Sequence, residues 1–279
     1  MTVPRREILR RLHVQIAAGK PIIGAGASTG IAARSEEAGG ADLLIIYNSG
    51  RFRRAGFTSL AGLFAYGDAN AIVLDLAAEI LPVVQHTPVL AGVNATDPLR
   101  PMPAFLRQLQ QIGFSGVHNF PTVGLFEGVL RANMEATGLG YDREVAMIAA
   151  AHQMELFTSA YAFTPAEACA MAEAGADLIV PHVGPTVTGA DAGIVTPTFD
   201  QAIAQVMALA DAARRARPDV LVACHGGPFD EPERVGQALA RMPGICGFYG
   251  ASHLERLPAE RAITAQTEAF KAFRLADPP

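Results

Sequence analysis

Short apolar runs recur along the chain, each separated from the next by a stretch with helical spacing. The runs are Pro21 to Ala25, Asp42 to Tyr47, Pro88 to Val93, Gly116 to Phe120, Leu156 to Phe163, Asp177 to Val183, Leu221 to Cys224 and Ile245 to Tyr249. Near-continuous apolar runs are the mark of strands covered on both faces, as in a parallel sheet. Alternation with helices makes each run the strand of a βα unit. Eight such units predict an α/β fold, a (β/α)8 TIM barrel forming a single domain over residues 1–279. Ahead of the first strand, Arg5 to Ala18 sets Ile8, Leu9, Leu12 and Ile16 at helical spacing and stops at Gly19, so a helix is expected to cap the barrel floor.

Local signals place the helix ends. Ser28 or Thr29 can cap the helix that runs through Glu37, and Thr164-Pro165-Ala166-Glu167 reads as a capping box with proline in the first turn. Thr198 with Gln201, and Ser252-His253-Leu254-Glu255 ahead of the closing helix to Arg274, repeat the capping pattern. The long stretch between Asn48 and Asn70 interrupts it. A connection of that length is expected to be a lid or a subunit contact, and so to favour a homo-oligomer. The string Glu-Ala-Gly-Gly-Ala-Asp-Leu at 37–43 is echoed as Glu-Ala-Gly-Ala-Asp-Leu at 173–178, ahead of the second and sixth strands, as a half-barrel duplication would place it.

Composition narrows the function. Of 279 residues, 50% are apolar and 18% charged, with a net charge of −5 and no clustered basic field, which argues against a nucleic-acid partner. No apolar stretch is long enough to span a bilayer and the start lacks the apolar core of a signal peptide, so neither membrane nor export is expected and the location predicted is cytoplasmic. Cys169, Cys224 and Cys246 have neither CxxC nor finger spacing, which excludes a disulfide framework and structural zinc.

In a barrel, the carboxyl ends of all strands share one mouth. Collecting the polar residues there gives Ser28, Asn48, Asn94, Asn119, Tyr161, His182, His225 and Ser252. His182 and His225 are the acid/base candidates, since imidazole titrates nearest neutral pH, although each could equally be a structural hydrogen-bond donor. Tyr161 could donate to a developing oxyanion or simply pack over the mouth. The glycine turns after the last two strands, Gly226-Gly227 and Gly250-Ala251-Ser252, offer backbone N–H groups to an anion; the plainer alternative is that they only make tight turns. Arg51 could clamp a second acidic group. Asp68, Asp97, Glu127 and Glu135 are the carboxylates available to a divalent ion, and none stands at a tell-tale spacing; Glu135 is the one assigned to hold a metal or act as base.

The strings YNSGRF (47–52), YGDANAI (66–72), GFSGVHNFPTVGL (113–125), MEATGLGY (134–141), CHGGP (224–228) and GFYGASHLERLP (247–258) resemble the phosphoenolpyruvate hydrolase-like TIM-barrel family, also labelled TIM-barrel signal transduction proteins. A similar domain forms the C-terminal part of a plant tobamovirus-resistance protein. The resemblance implies hydrolysis of a small phosphorylated or phosphono-oxo acid assisted by a divalent metal, with Mg²⁺ the expected ion and no organic cofactor. Enzymes of that chemistry carry acidic metal ligands near the early strand ends, where this chain has Asn48 and Asn94. Two functions follow as expectations. One is an enzyme with hydrolytic or C–C/C–P lyase activity on a small anionic metabolite such as phosphoenolpyruvate or phosphonopyruvate. The other is a barrel that senses such a metabolite without turning it over.

Overall fold

A computed structural model describes residues 2–185 and 195–274. Strands and helices alternate as α1 (Arg5–Ala17), β1 (Ile22–Gly26), α2 (Gly30–Ala38), β2 (Leu43–Ile46), a short α3 (Gly50–Arg53), α4 (Ala69–Ile80), β3 (Val89–Gly92), α5 (Met102–Ile112), β4 (Gly116–His118), α6 (Gly128–Ala136), α7 (Tyr141–Gln153), β5 (Phe157–Ala162), α8 (Pro165–Glu173), β6 (Leu178–Pro181), α9 (Phe199–Ala216), β7 (Leu221–His225), α10 (Pro232–Arg241), β8 (Gly247–Gly250) and α11 (Arg256–Lys271). Each strand pairs in parallel with its neighbours in sequence, and β8 closes on β1 with Ile22 opposite Gly247 and Ala25 opposite Gly250. The chain is a closed (β/α)8 barrel with a helix ahead of the first strand.

Side chains alternate across a strand, so closing the sheet divides the core in two. On β2, Leu43, Ile45 and Tyr47 belong to the cluster inside the ring, whereas Leu44 and Ile46 join the layer between strands and helices. Phe157 and Tyr161 on β5, and Leu221 and Ala223 on β7, are likewise inside. Val3, Ile8 and Leu12 join this inner cluster, so the N-terminal helix fills the floor as its spacing predicts. Burying Ile8 and Leu12 there contributes about 1.5–3 kcal/mol each. Gly24 has no side chain because the ring of Tyr249 lies where its Cβ would stand.

The capping boxes at Thr164/Glu167 and Thr198/Gln201 both form, and Thr29 rather than Ser28 caps α2. The one expected at Ser252 does not: α11 starts only at Arg256, and Glu255 is turned back toward β1 to accept from the backbone N–H and hydroxyl of Ser28. The stretch after β2 holds structure of its own, namely α3 and a 3₁₀ turn at Ser59–Leu63. Most of the connection after β6, residues 186–194, lies outside the described residues.

The echoed string has a structural purpose. Gly40 and Gly175 take the left-handed conformation (φ 91° and 95°) that ends a helix, and the aspartate that follows accepts from the backbone of the preceding strand. Asp42 takes the N–H of Ile23 at 2.9 Å, and Asp177 takes that of Thr158 at 3.1 Å. Asp177 is buried and also receives Arg5 in a two-bond fork, 2.9 Å from Nε and 2.7 Å from Nη2, which ties α1 to the barrel. Truncation in Arg5→Ala leaves that carboxylate without its principal counter-charge. The expected cost is about 3 kcal/mol in denaturant unfolding, and a loss indistinguishable from zero would show that α1 is held by its apolar face alone.

Candidate active site

On β2, β4, β5, β6 and β7 the inward row turns polar at its carboxyl end. Tyr47, His118, Tyr161, His182 and His225 come together there, although they lie far apart in sequence. The rings of His182 and His225 are 4.7 Å apart, and each is 4.9 Å from the ring of Tyr161. A backbone bridge between His182 and His225 holds the pair side by side. Tyr161 and Tyr47 share a hydroxyl–hydroxyl bond of 3.2 Å. Below them His118 bonds through Nδ1 to the Ser159 hydroxyl at 2.7 Å.

The hydrogen bonds at Nδ1 set opposite proton positions on the two mouth histidines. Gly184 donates its backbone N–H to Nδ1 of His182 at 3.2 Å, so the proton of the neutral ring is on Nε2. His225 is the reverse: its Nδ1 lies 2.8 Å from the carbonyl oxygen of Tyr249, which can only accept, so Nδ1 carries the proton and Nε2 the lone pair. Burial keeps both rings neutral. It lowers the His225 pKa to about 4 and holds that of His182 well below the usual range, with repulsion from His225 and His118 adding to the latter. One ring is thus a hydrogen-bond donor and the other a proton acceptor.

A cation stands across the mouth. Arg53, at the end of α3, is buried and donates through Nε to Glu255 at 3.1 Å, through Nη1 to the Ser49 hydroxyl at 2.9 Å and through Nη2 to the carbonyl of Gly26 at 3.3 Å. Nη1 also reaches the Ser59 hydroxyl at 3.5 Å, so of the five N–H bonds in its rigid fork one, on Nη2, has no protein acceptor among these contacts. The hydroxyls of Ser59 and Ser252 lie 3.3 Å apart beside it. Arg53, Ser59, Ser252, Tyr161, His182 and His225 all line one cavity of about 60 Å³, roofed by Thr58, Leu60 and Leu63.

Several residues predicted for the site lie elsewhere. His182, His225, Tyr161, Ala251 and Ser252 do line the cavity. Arg51 is exposed, and Arg53 two positions on takes the inward place. Asn48 is turned away and donates to the carbonyl of Gly62 at 2.8 Å. Asn119 donates to Glu144 at 2.7 Å and receives the N–H of Tyr161 at 2.6 Å, a structural brace between β4, β5 and α7. Asn94 accepts from the Thr96 hydroxyl at 3.0 Å. Ser28 is occupied by Glu255, Gly250 ends β8 opposite Ala25, and the Gly227 N–H donates to the carbonyl of Gly184 at 2.9 Å. Gly226, at φ 84°, lies so close to that carbonyl that a Cβ would overlap it. The first glycine turn therefore serves packing between the β6 and β7 loops, and of the anion donors proposed there only the Ala251–Ser252 end reaches the cavity. Glu135 is on α6, 2.6 Å from Arg131 and accepting from the N–H of Tyr141, so it does not face the mouth.

Among the described residues the candidate carboxylates do not gather as a divalent ion's ligands. Asp68 caps α4 and pairs with Arg100, Asp97 bonds Asn70 and Arg100, and Glu127 begins α6. Among the described residues no three His, Cys, Asp or Glu side chains converge on a metal position. Glu255, beside the cavity's Arg53, is already paired with it.

Fold and mouth together define a TIM-barrel protein of the kind whose ligand site lies at the carboxyl ends of the strands. Residues 7–273 match the family described as phosphoenolpyruvate hydrolase-like, and the chain belongs to that family. It is 57% identical over 271 residues to the ToMV resistance protein Tm-1 of Solanum lycopersicum, covering 97% of this chain and 36% of that protein. The ToMV susceptible protein tm-1 of the same plant is also 57% identical, over 268 residues, covering 96% and 36%. The chain spans about a third of the length of these curated relatives. Among solved structures, phosphonopyruvate hydrolase in complex with oxalate and Mg²⁺ matches with a TM-score of 0.58 at 16% identity, covering 99% of this chain and 90% of that one. At that identity the likeness is one of fold. Among the described residues no helix is long and apolar enough to cross a membrane.

Unfolded imidazoles take up protons near pH 6.5, whereas His225 in the folded chain does so only near 4. The unfolded state therefore binds more protons across this window, and the contribution of His225 to stability falls as pH drops from about 6.5 toward 4. In an NMR titration the ring signals of His118, His182, His225 and His253, all with lowered pKa, should hold their neutral positions at pH 5. A midpoint above pH 6 for His225 would contradict the acceptor state assigned to its Nε2.

Proposed function

We propose that the mouth binds a small oxo acid carrying a second anionic group and, by acid/base catalysis, cleaves the bond that joins that group to the carbon next to its carbonyl. What carries the reading is the pair of adjacent neutral histidines with opposite proton positions, His182 donating and His225 accepting, beside a buried arginine. A substrate of the phosphonopyruvate type illustrates the chemistry. Arg53, with the hydroxyls of Ser59 and Ser252, holds the phosphono group, and Nε2 of His225 takes a proton from water. The oxygen attacks phosphorus, the C–P bond breaks, and its electron pair passes to the carbonyl as an enolate. The Tyr161 hydroxyl and the Nε2–H of His182 donate to that oxygen, a task a neutral imidazole performs well at low pKa. His225 then returns the proton to carbon, leaving pyruvate and phosphate. A C–C bond in the same position breaks by the same electron path.

The test is release of pyruvate and phosphate from phosphonopyruvate and phosphoenolpyruvate, and of pyruvate and carbon dioxide from oxaloacetate, with Mg²⁺ and with chelator. With the substrate that turns over, His225→Ala and His182→Ala should each lower kcat/KM by roughly 100- to 10,000-fold. Arg53→Lys, which keeps the charge but loses the planar fork, should raise KM more than it lowers kcat. Saturable thermal stabilisation by these acids without product would replace catalysis with sensing, because a ligand selective for the folded state raises stability by mass action.

A further inference from the structure

The two mouth histidines are anchored unequally. His225 ends β7 and is fixed by a bond of 2.8 Å to the carbonyl of Tyr249 on the neighbouring strand. His182 lies one residue past the end of β6, and the bond on its ring is the longer one, 3.2 Å from the Gly184 N–H. In a neutral imidazole the proton's position is set by the bond the other nitrogen makes, so whatever keeps Nδ1 on Gly184 also keeps the proton on Nε2. Packing has to supply that hold.

Two rings from β5 meet His182. Tyr161 lies 4.9 Å away at 84°, and Phe163, two residues on and so on the same face, lies 5.0 Å away at 33°. Tyr161 lines the mouth cavity, whereas Phe163 is not among the residues that do. Phe163 is in turn packed against Gly124, so closely that a Cβ there would overlap its ring. Its backbone N–H donates to Glu167 at 3.0 Å.

Arg131 on α6 closes the circuit. Its Nη2 donates to the other oxygen of Glu167 at 2.8 Å, and its Nη1 to the carbonyl of Val123, the residue before Gly124, at 3.1 Å. One guanidinium therefore ties the loop that carries Gly124 to the strand end that carries Phe163. Buried Glu144 on α7 holds the same loop, taking the Val123 N–H and the Thr122 hydroxyl at 2.8 Å each. No residue of α6 is buried, and Arg131 gives that helix its bonds to the loops after β4 and β5. Glu135, 2.6 Å from the Arg131 Nε, steadies the arginine rather than a metal.

We propose that Phe163 is a positioning residue for His182, and that Arg131, outside the mouth, holds Phe163 in place. The inference rests on the donor role given to His182 above, and adds that the state of its ring is set by side chains that touch no ligand. The titratable groups that face His182 are His225, His118 and Tyr161, and all three are kept in the variants that test it.

Nitrogen-15 NMR of the His182 ring in the full chain reads the proton's position whether or not any substrate turns over. The parent should show the Nε2–H form alone. Phe163→Ala and Arg131→Met should each add the Nδ1–H form and, by admitting water, raise the titration midpoint by about one pH unit; Phe163→Leu, which keeps most of the bulk, should do less of both. If Phe163→Ala fails to fold, Arg131→Met carries the test. With a substrate that turns over, kcat should fall about 10- to 100-fold while KM stays within about twofold, since Arg53 and its serines still hold the anion. Unchanged His182 signals in a folded Arg131→Met or Phe163→Ala chain would overturn the inference, whatever the activity. The expected His182 changes without turnover in any chain would instead sink the catalytic reading and support the positioning.

Discussion

Closing eight parallel strands into a ring forces every second side chain into a shared interior, and the mouth inherits its composition from that constraint. Near the floor the inward positions are Ile, Leu and Phe, with α1 packed beneath; near the rim they become Tyr47, His118, Tyr161, His182 and His225. Polar rings on top of an apolar column are poorly hydrated, which is why both mouth histidines stay neutral. The depressed basicity is thus a product of the packing that makes the barrel stable.

A second constraint is electrostatic. A guanidinium as buried as Arg53 needs a counter-charge, and Glu255 meets that need from the far end of the chain. This accounts for the missing capping box: the glutamate that a Ser-x-x-Glu pattern assigns to the helix start is drawn to Arg53 and Ser28, and α11 begins later as a result. Local capping is worth about 1 kcal/mol, less than leaving a buried cation unpaired.

The strand-and-helix alternation, the floor helix and the two mouth histidines were all legible in the sequence, because buried parallel strands and their polar ends leave a periodic record. The asparagines are not legible from their place at the strand ends alone, because parity along the strand decides which side a residue takes. Asn48 follows inward Tyr47 and Asn119 follows inward His118, so each sits one step out of phase: Asn48 bonds the turn at Gly62 and Asn119 bonds Glu144 on α7. A period-two reading carried through Leu43 and Ile45 would have reached Tyr47. Arg53 was hidden among Arg51 and Arg54, since a single turn of helix offers no apolar stripe by which to tell the buried arginine from the exposed ones. The exposed length of α11 left no trace either, for an amphipathic stripe reads the same in the sequence whether it is covered or open.

The paired aspartates carry a consequence for the geometry of the ring. Asp42 locks β2 to β1, and Asp177 locks β6 to β5, each by a carboxylate bonded to the backbone of the strand before it. Those two seams lie on opposite sides of the circle, four strands apart. A barrel's diameter and tilt follow from its strand number and shear, and shear is the sum of small offsets between neighbours. Pinning two diametrically opposed offsets means that a slip of one strand cannot be absorbed by drift around the ring, so the rim keeps its spacing while the loops above it are free to diverge.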